Sequence, residues 1–509
     1  MSIFEGERAE PGSAPEVDST SVRLADAFGI RDAGQALRYF ATYLPTQAIP
    51  ALLGFLVLPL LGRQLAPTEL GVLTISQTLI TIGWIVVGGW LAAAVIRELP
   101  RHAMDATMPR FSRDLIRALG ISGLIFLGFA AVTGVVGLFT AAVGDNYWLI
   151  LAATAGLVIQ NVAVSLLAAG LRPRAYAVVN LVARVGGISL GAYLVFEGYK
   201  VQGYLFGLAS VTLIVGSLGL LWAWPRAPGT VGGEAGDIRA WWNYGFPSAS
   251  GELAGWVLLF VDRYLLAGLM NTAAVGVYTV GNVIGDKIVT IPALAFYTAA
   301  WPLLVRVYES HGRPQVEVLM RSYTRVVLLL SIPTLAFVTV TASQWVHGLT
   351  GNVYRYTGAV GVIPWVALGA VFYALAIVGN SGLVVSKKTW PLVYGACIGL
   401  GVNVVINLAL IPRYGIMGAA VATPISNLTY LFATHWWARR YATWRFPYAT
   451  ALRAIAAALF GYLAARWAMT MFDELSEQVA AAAVAGGIVY LALLLVLGER
   501  RAGRVVAAA

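Results

Sequence analysis

The sequence predicts an all-α, polytopic membrane protein of about 14 transmembrane helices, arranged as two parallel-repeat lobes of six helices followed by a C-terminal helix pair. Three observations lead there. Of 509 residues, 59% are hydrophobic and 11% charged, and mean hydropathy is +0.76, which leaves too few charges to coat a soluble domain. Apolar stretches of the roughly 20 residues that a span needs recur along the chain. Finally, the chain matches itself at an offset of 205 residues, with Tyr39 falling on Tyr244.

Taken in order, residues 1–35 are polar and mixed in charge and predict a disordered cytoplasmic segment, with a short surface helix from Ser21 to Asp32 capped by Thr20. The first apolar stretch starts too late for a signal peptide. The apolar stretches begin near residues 37, 69, 114, 147, 174, 202, 244, 272, 324, 357, 390, 415, 449 and 478. They divide the chain into a six-helix lobe at 36–225, a linker at 226–243, a second six-helix lobe at 244–440, a helix pair at 441–498 and a tail at 499–509. Pro45, Pro50 and Pro59 in the first stretch and Pro292 in the eighth remove backbone hydrogen bonds and permit kinks. Trp241 with Trp242, and Trp436 with Trp437, read as interfacial belts. Asn403 and Asn407, one turn apart, are placed to bond between helices.

The net charge of +10 raises the question of a nucleic-acid partner, and the distribution of the cations answers it. Segments on the amino-terminal side of the membrane hold about 25 Lys and Arg, against about four (Arg63, Lys200, Arg355 and Arg413) on the other side. Such asymmetry orients the protein with both termini in the cytoplasm of a plasma (cell inner) membrane, and no nucleic acid is expected. The single Cys397 excludes an internal disulfide, and the four histidines match no metal spacing. His102 with Asp105 is the one pairing that an acyltransferase could use, and it lies in a basic loop.

The repeat carries one asymmetry. Gln47 aligns with Glu252, Val57 with Asp262, Leu58 with Arg263, Gln77 with Asn282, Thr81 with Asp286 and Ile82 with Lys287, so the second lobe is charged where the first is neutral. Ionisable groups inside a span are costly and by default mark a pathway. Helical phase puts Glu252, Trp256 and Arg263 on one face, with Asp262 a quarter turn away as the local counter-charge of Arg263 or a tie to the eighth helix. Being adjacent, Asp286 and Lys287 are expected to point in different directions. Counted along the helices, Arg184, Glu252 and Lys287 fall at a middle depth and Arg263 nearer the outer face, giving two tiers of positive charge. Arg453 and Arg466 read as snorkelling toward the interfaces. Cations beside Trp and Tyr suit an anionic ligand with polar portions, such as phosphate joined to sugar, and suit a hydrophobic cation poorly.

The stretches from Tyr244 to Lys287 and from Asn403 to Thr423, with LGRQLAPTELGVLTISQTL at 61–79, resemble the polysaccharide-biosynthesis flippases. These are the O-antigen and exopolysaccharide exporters of the multidrug/oligosaccharidyl-lipid/polysaccharide superfamily. The resemblance implies a two-lobed bundle that moves an undecaprenyl-type pyrophosphate-linked glycan from the cytoplasmic to the outer leaflet by alternating access. Its partners would be that lipid-linked glycan, the bilayer and other glycan-assembly membrane proteins. It implies no enzymatic step and no cofactor, and leaves the coupling ion open between proton and sodium. On this reading Arg263, Lys287, Arg184, Trp256 and Gln47 hold the pyrophosphate and sugar. Arg38 and Arg97 form a cytoplasmic rim, and Glu252 and Asp286 couple the ion. Related lipid II flippases carry several arginines in the first lobe's cavity, whereas here that lobe offers chiefly Arg184 and the rim residues Arg38 and Arg97, which argues against lipid II. A cation-coupled multidrug antiporter is the alternative, with a glycan polymerase or ligase behind it.

Overall fold

The computed structural model describes residues 49–50, 52–105, 107–225, 238–351, 354–386, 388, 390–441 and 444–498. Their regular structure is helical, with no strand among the described residues. The surface helix read at residues 21–32, together with Arg38, Pro45 and Gln47, lies outside them.

A short apolar helix, α1 (Leu52–Arg63), leads into α2. This second helix runs over Pro67–Trp84, passes through a π-helical turn at Ile85–Gly89 and continues over Trp90–Met104. There follow α3 (Met108–Phe139), α4 (Tyr147–Ala169), α5 (Pro173–Leu194) and α6 (Lys200–Ala223). The next six are α7 (Ile238–Leu269), α8 (Thr272–His311), α9 (Arg313–Val340), α10 (Thr357–Gly379), α11 (Trp390–Tyr414) and α12 (Ile416–Ala438). The chain closes with α13 (Tyr448–Met469) and α14 (Leu475–Val496). Ten segments among the described residues are long and apolar enough to cross a membrane; one of them, Pro173–Ala223, is folded back on itself at Gly198, whose φ of 96° is open only to a residue without a Cβ. After α1, three starts differ from the sequence reading by six residues or more, α3 among them at Met108 rather than near 114. Helix α9 begins at Arg313 rather than near 324, because a polar stretch of about three turns containing Arg313, Glu317, Arg321 and Arg325 extends it beyond its apolar part, and α7 begins at Ile238, inside the stretch read as linker.

The helices pack in two groups. In the first, α4 and α5 both lie along α6, and α2 lies against α4; in the second, α10 packs on α8 and α12, α12 on α11, and α11 on α7. The pair α13–α14 joins the second group through α9. Glycine lets backbones approach within each group: a Cβ on Gly191 would lie 2.8 Å from the Tyr204 carbonyl oxygen, and one on Gly395 would lie 2.4 Å from Thr434 Cγ2. Asn403 Nδ2 donates to Ser426 Oγ across α11 and α12 at 3.0 Å.

The groups meet along α2. Its first half crosses α8 and its second half, after the π turn, lies against α7. At the α8 crossing a Cβ on Gly71 would stand 1.8 Å from the Thr272 carbonyl oxygen, and one on Gly276 would stand 1.9 Å from that of Pro67. Those four residues are paired by the 205-residue offset, so the contact obeys the twofold read from sequence. On the same end, Arg63 donates to the carbonyls of Gly348 (2.6 Å) and Leu349 (3.2 Å), and the Tyr356 hydroxyl donates to Leu65 O at 3.1 Å. At the other end a Cβ on Gly245 would meet Trp90 O at 2.2 Å, and Trp90 packs edge-on against Trp242. Trp241, read as part of an interfacial belt, is instead buried against Phe111, because α7 turns that ring toward α3.

Candidate functional site

Between these two crossings lies a cavity of about 460 Å³. Its walls follow helical periodicity: Gly54 and Leu58 on α1, with Pro50 preceding it; Thr74, Thr78 and Thr81 on α2; Trp256, Phe260 and Arg263 on α7; Thr279, Val283 and Lys287 on α8. Ile188, Tyr204 and Leu208 close it from α5 and α6. Both helix groups therefore contribute, and the charge comes from the second.

Arg263 is 3% exposed. Its Nη1 donates to the Leu259 carbonyl at 3.1 Å and to Asp262 Oδ1 at 3.3 Å, its Nη2 donates to Asn282 Oδ1 at 2.8 Å, and its guanidinium lies 4.3 Å from the centroid of the Phe260 ring. Its Nε is buried and has no hydrogen-bond partner among the described residues. The guanidinium is thus oriented on four sides, and its Nε–H is left without an acceptor among the described residues. Asp262 faces away from the cavity: its Oδ2 accepts a short hydrogen bond from the Tyr278 hydroxyl, which also contacts Thr423 Oγ1 at 3.2 Å. Its Oδ1 accepts from the Arg263 amide at 2.9 Å. The carboxylate therefore neutralises the arginine while tying α7 to α8 and α12. Asn282 was aligned with Gln77 by the repeat but not singled out; the signal that could have found it is an amide one helix away from an intramembrane arginine.

Trp256 stacks on Phe260 with centroids 4.3 Å apart and forms the aromatic wall beside Arg263. Lys287 also lines the cavity, with its side chain 46% exposed. Contrary to the expectation that Lys287 and Asp286 point apart, Nζ and Oδ2 are 2.8 Å from each other; the four-carbon lysine stem is long enough to curl back on its neighbour. Arg263 lies six residues from the end of α7 and Lys287 fifteen from the start of α8. At 1.5 Å per residue their backbones differ in depth by about 13 Å, yet one cavity receives both.

The structure does not bring Arg184 or Glu252 into that lining. Arg184 is one turn from cavity-lining Ile188 on the same face of α5, but its Nε donates to Asn180 Oδ1 at 3.0 Å, an oxygen that also accepts from Gln160 of α4 at 3.3 Å. That network holds it at the α4–α5 contact. Glu252, one turn from Trp256, is exposed beyond the cavity and shares only its helical face, not its surroundings, with Arg263. Arg97 sits at the α2–α7 end, its guanidinium 4.4 Å from the centroid of the Tyr244 ring. Beside it the sequence reading missed Glu98, a carboxylate 3% exposed that lies 3.8 Å from Arg97, 3.7 Å from Arg101 and 4.0 Å from His102. His102 Nδ1 is 3.0 Å from the Glu98 carbonyl and its ring packs on Phe111, while Asp105 ends the helix in an exposed position, so the pair forms no catalytic arrangement.

Two helix groups related by a pseudo-twofold, enclosing a cavity and embedded by many apolar spans, define a multi-pass membrane transporter. The profile described as "Polysaccharide biosynthesis protein" matches residues 37–308, and that described as "MatE" matches residues 247–409. The chain belongs to the polysaccharide biosynthesis protein family and is a flippase-type transporter of the multidrug/oligosaccharidyl-lipid/polysaccharide superfamily. It is 22% identical over 411 residues to the probable low-salt glycan biosynthesis flippase Agl15 of Haloferax volcanii, covering 80% of each chain. Its fold is similar to that of the lipid II flippase MurJ in an inward closed conformation, with TM-score 0.74 and 12% identity over 91% of this chain and 99% of that one. An inward-facing multidrug resistance MATE family transporter matches with TM-score 0.58 and 14% identity, over 78% and 97%.

Proposed function

We propose that the protein translocates a polyprenyl-pyrophosphate-linked oligosaccharide from the cytoplasmic to the outer leaflet of the plasma membrane, with both termini in the cytoplasm. The two lobes, at 36–225 and 244–440, rock about the α2–α8 and α2–α7 contacts. The headgroup occupies the cavity between them while the isoprenoid chain stays in the bilayer. The observation that carries this reading is Arg263, which lines the same cavity as Lys287 and whose buried Nε has no hydrogen-bond partner among the described residues. An N–H of a fixed guanidinium, in a site screened from water, is a strong donor to a phosphate oxygen, and a flexible ammonium adds a second cation. Trp256 and Phe260 offer a stacked face to a sugar ring. Arg184 and Arg97, outside the lining, are proposed to meet the headgroup on its way in, as are Arg38 and Gln47. Glu252 and Asp286 are proposed as ion-coupling groups.

A lipophilic cation is a poor fit, since the described lining holds two cations and no carboxylate. Alanine at Arg263 and at Lys287 is expected to lower glycan export at least tenfold while membrane insertion and amount are unchanged. Undiminished export by both variants, or drug resistance conferred by the wild type without glycan export, would overturn the reading.

A further inference from the structure

The end of the cavity next to the α2–α8 crossing carries no charge on its first-lobe wall, but it is rich in hydroxyls. Thr74 and Thr279, which are repeat mates, come three residues after Gly71 and Gly276, so they stand about 4.5 Å inward of the crossing, one from each lobe. Thr78 and Thr81 continue the α2 face. On α2 the Oγ1 atoms of Thr74, Thr78 and Thr81 donate to the carbonyls of Leu70, Thr74 and Gln77 at 2.8, 2.8 and 2.9 Å. Back-bonding of this kind is common in apolar helices, and by itself it is structural. Here it has a further effect: with each proton spent on the backbone, the oxygens of three residues that line a cavity have only lone pairs left to offer.

Thr279 breaks the pattern. It is 1% exposed and lines the cavity, and its Oγ1 has no hydrogen-bond partner among the described residues, although its mate Thr74 bonds the preceding turn. A buried hydroxyl without a partner costs on the order of 1–3 kcal/mol, and buried polar groups are nearly always satisfied. We propose that this end of the cavity is a hydroxyl-reading subsite for an uncharged sugar of the substrate, with Thr74, Thr78 and Thr81 accepting from sugar hydroxyls and Thr279 donating to one. The inference rests on the translocation of a pyrophosphate-linked glycan proposed above. It places the phosphates against Arg263 and Lys287 of the second lobe and the sugar edge against the α2 threonines of the first lobe and Thr279 of the second. A subsite that pairs substrate hydroxyls in this way discriminates strongly against ligands lacking them.

The test is equilibrium binding to the purified full-length protein of two probes: a polyprenyl pyrophosphate, and the same lipid bearing one neutral hexose. In the wild type the hexose is expected to tighten binding at least tenfold. Thr279→Val, and separately the triple variant T74V/T78V/T81V, are expected to lose most of that increment while binding the bare pyrophosphate lipid within twofold of wild type. Thr279→Ser, which restores the hydroxyl, is expected to recover it. A uronic acid in place of the hexose is expected to gain less. The subsite is overturned by a wild type indifferent to the hexose, by valine variants that keep the increment, or by an equal gain from the uronic acid. If the triple variant does not fold, Thr279→Val with its serine counterpart decides alone. Failure of the bare pyrophosphate lipid to bind, or binding unaffected by Arg263→Ala and Lys287→Ala, would refute the underlying translocation reading instead.

Discussion

At the scale of single residues, the adjacent charges Asp262 and Arg263 show how one helical step separates two tasks. Arg263 turns into the cavity, and Asp262 turns into the contact between α7, α8 and α12. Removing one partner of a buried ion pair is far costlier than the pair's net worth. Tyr278→Phe deletes the donor to Asp262 and is expected to lower stability by roughly 1–3 kcal/mol, visible as a lower unfolding temperature in detergent, with Asp262→Ala worse. A Tyr278→Phe protein as stable as wild type would show that the hydroxyl is not holding the carboxylate. Arg263→Lys keeps the charge but cannot reach Leu259 O and Asn282 together; export is expected to fall several-fold, and full retention would show that charge alone suffices. Helical phase made the division between Asp262 and Arg263 legible in the sequence. It could not show that Arg184 would be captured by Asn180 and Gln160, or that Lys287 would fold back onto Asp286, because both outcomes depend on side chains of neighbouring turns and helices.

At the scale of elements, α2 is the helix along which the two groups meet. It begins at Pro67, whose missing N–H is harmless in the first turn, and Glu69 accepts from the Ala66 amide at 2.9 Å. Glu69 also meets Lys200 at 2.7 Å; since the lysine side chain is 68% exposed and the pair is screened by solvent, Lys200→Ala should leave the unfolding temperature in detergent essentially unchanged. Further along, the π turn at Ile85–Gly89 sets the register at which α2 leaves α8 and meets α7. Neither the π turn nor the crossing could be read from an apolar run, but the repeat offset already paired Gly71 with Gly276. Gly71→Ala and Gly276→Ala are each expected to force α2 and α8 apart and to depress export at least tenfold, with equal effect by symmetry. Gly268→Ala, with nothing within 4 Å of the added carbon, is the neutral control. Comparable export from all three variants would mean that the crossing is not needed.

At the scale of the whole molecule, hydropathy and the 205-residue offset made the helical architecture legible, and most helix starts fall within about six residues of those the apolar runs suggest. The cavity was legible only in part. Trp256, Arg263 and Lys287 line it, whereas Glu252 shares a helical face with Arg263 and lies outside it. Periodicity tells which way a side chain leaves its own helix; it does not tell where the space between two groups of helices opens and closes. The hydroxyls of Thr74, Thr78 and Thr279 carry no signal in the sequence around them, because their place beside one another comes from the cavity. The central claim is that Arg263 and Lys287 carry an anionic headgroup across the membrane. Its most direct test is translocation of a fluorescent polyprenyl-pyrophosphate oligosaccharide in liposomes containing the full-length protein, read with a membrane-impermeant quencher. Wild type should expose more probe than protein-free vesicles and the R263A/K287A double variant no more than they do; a double variant that translocates at the wild-type rate would contradict the account.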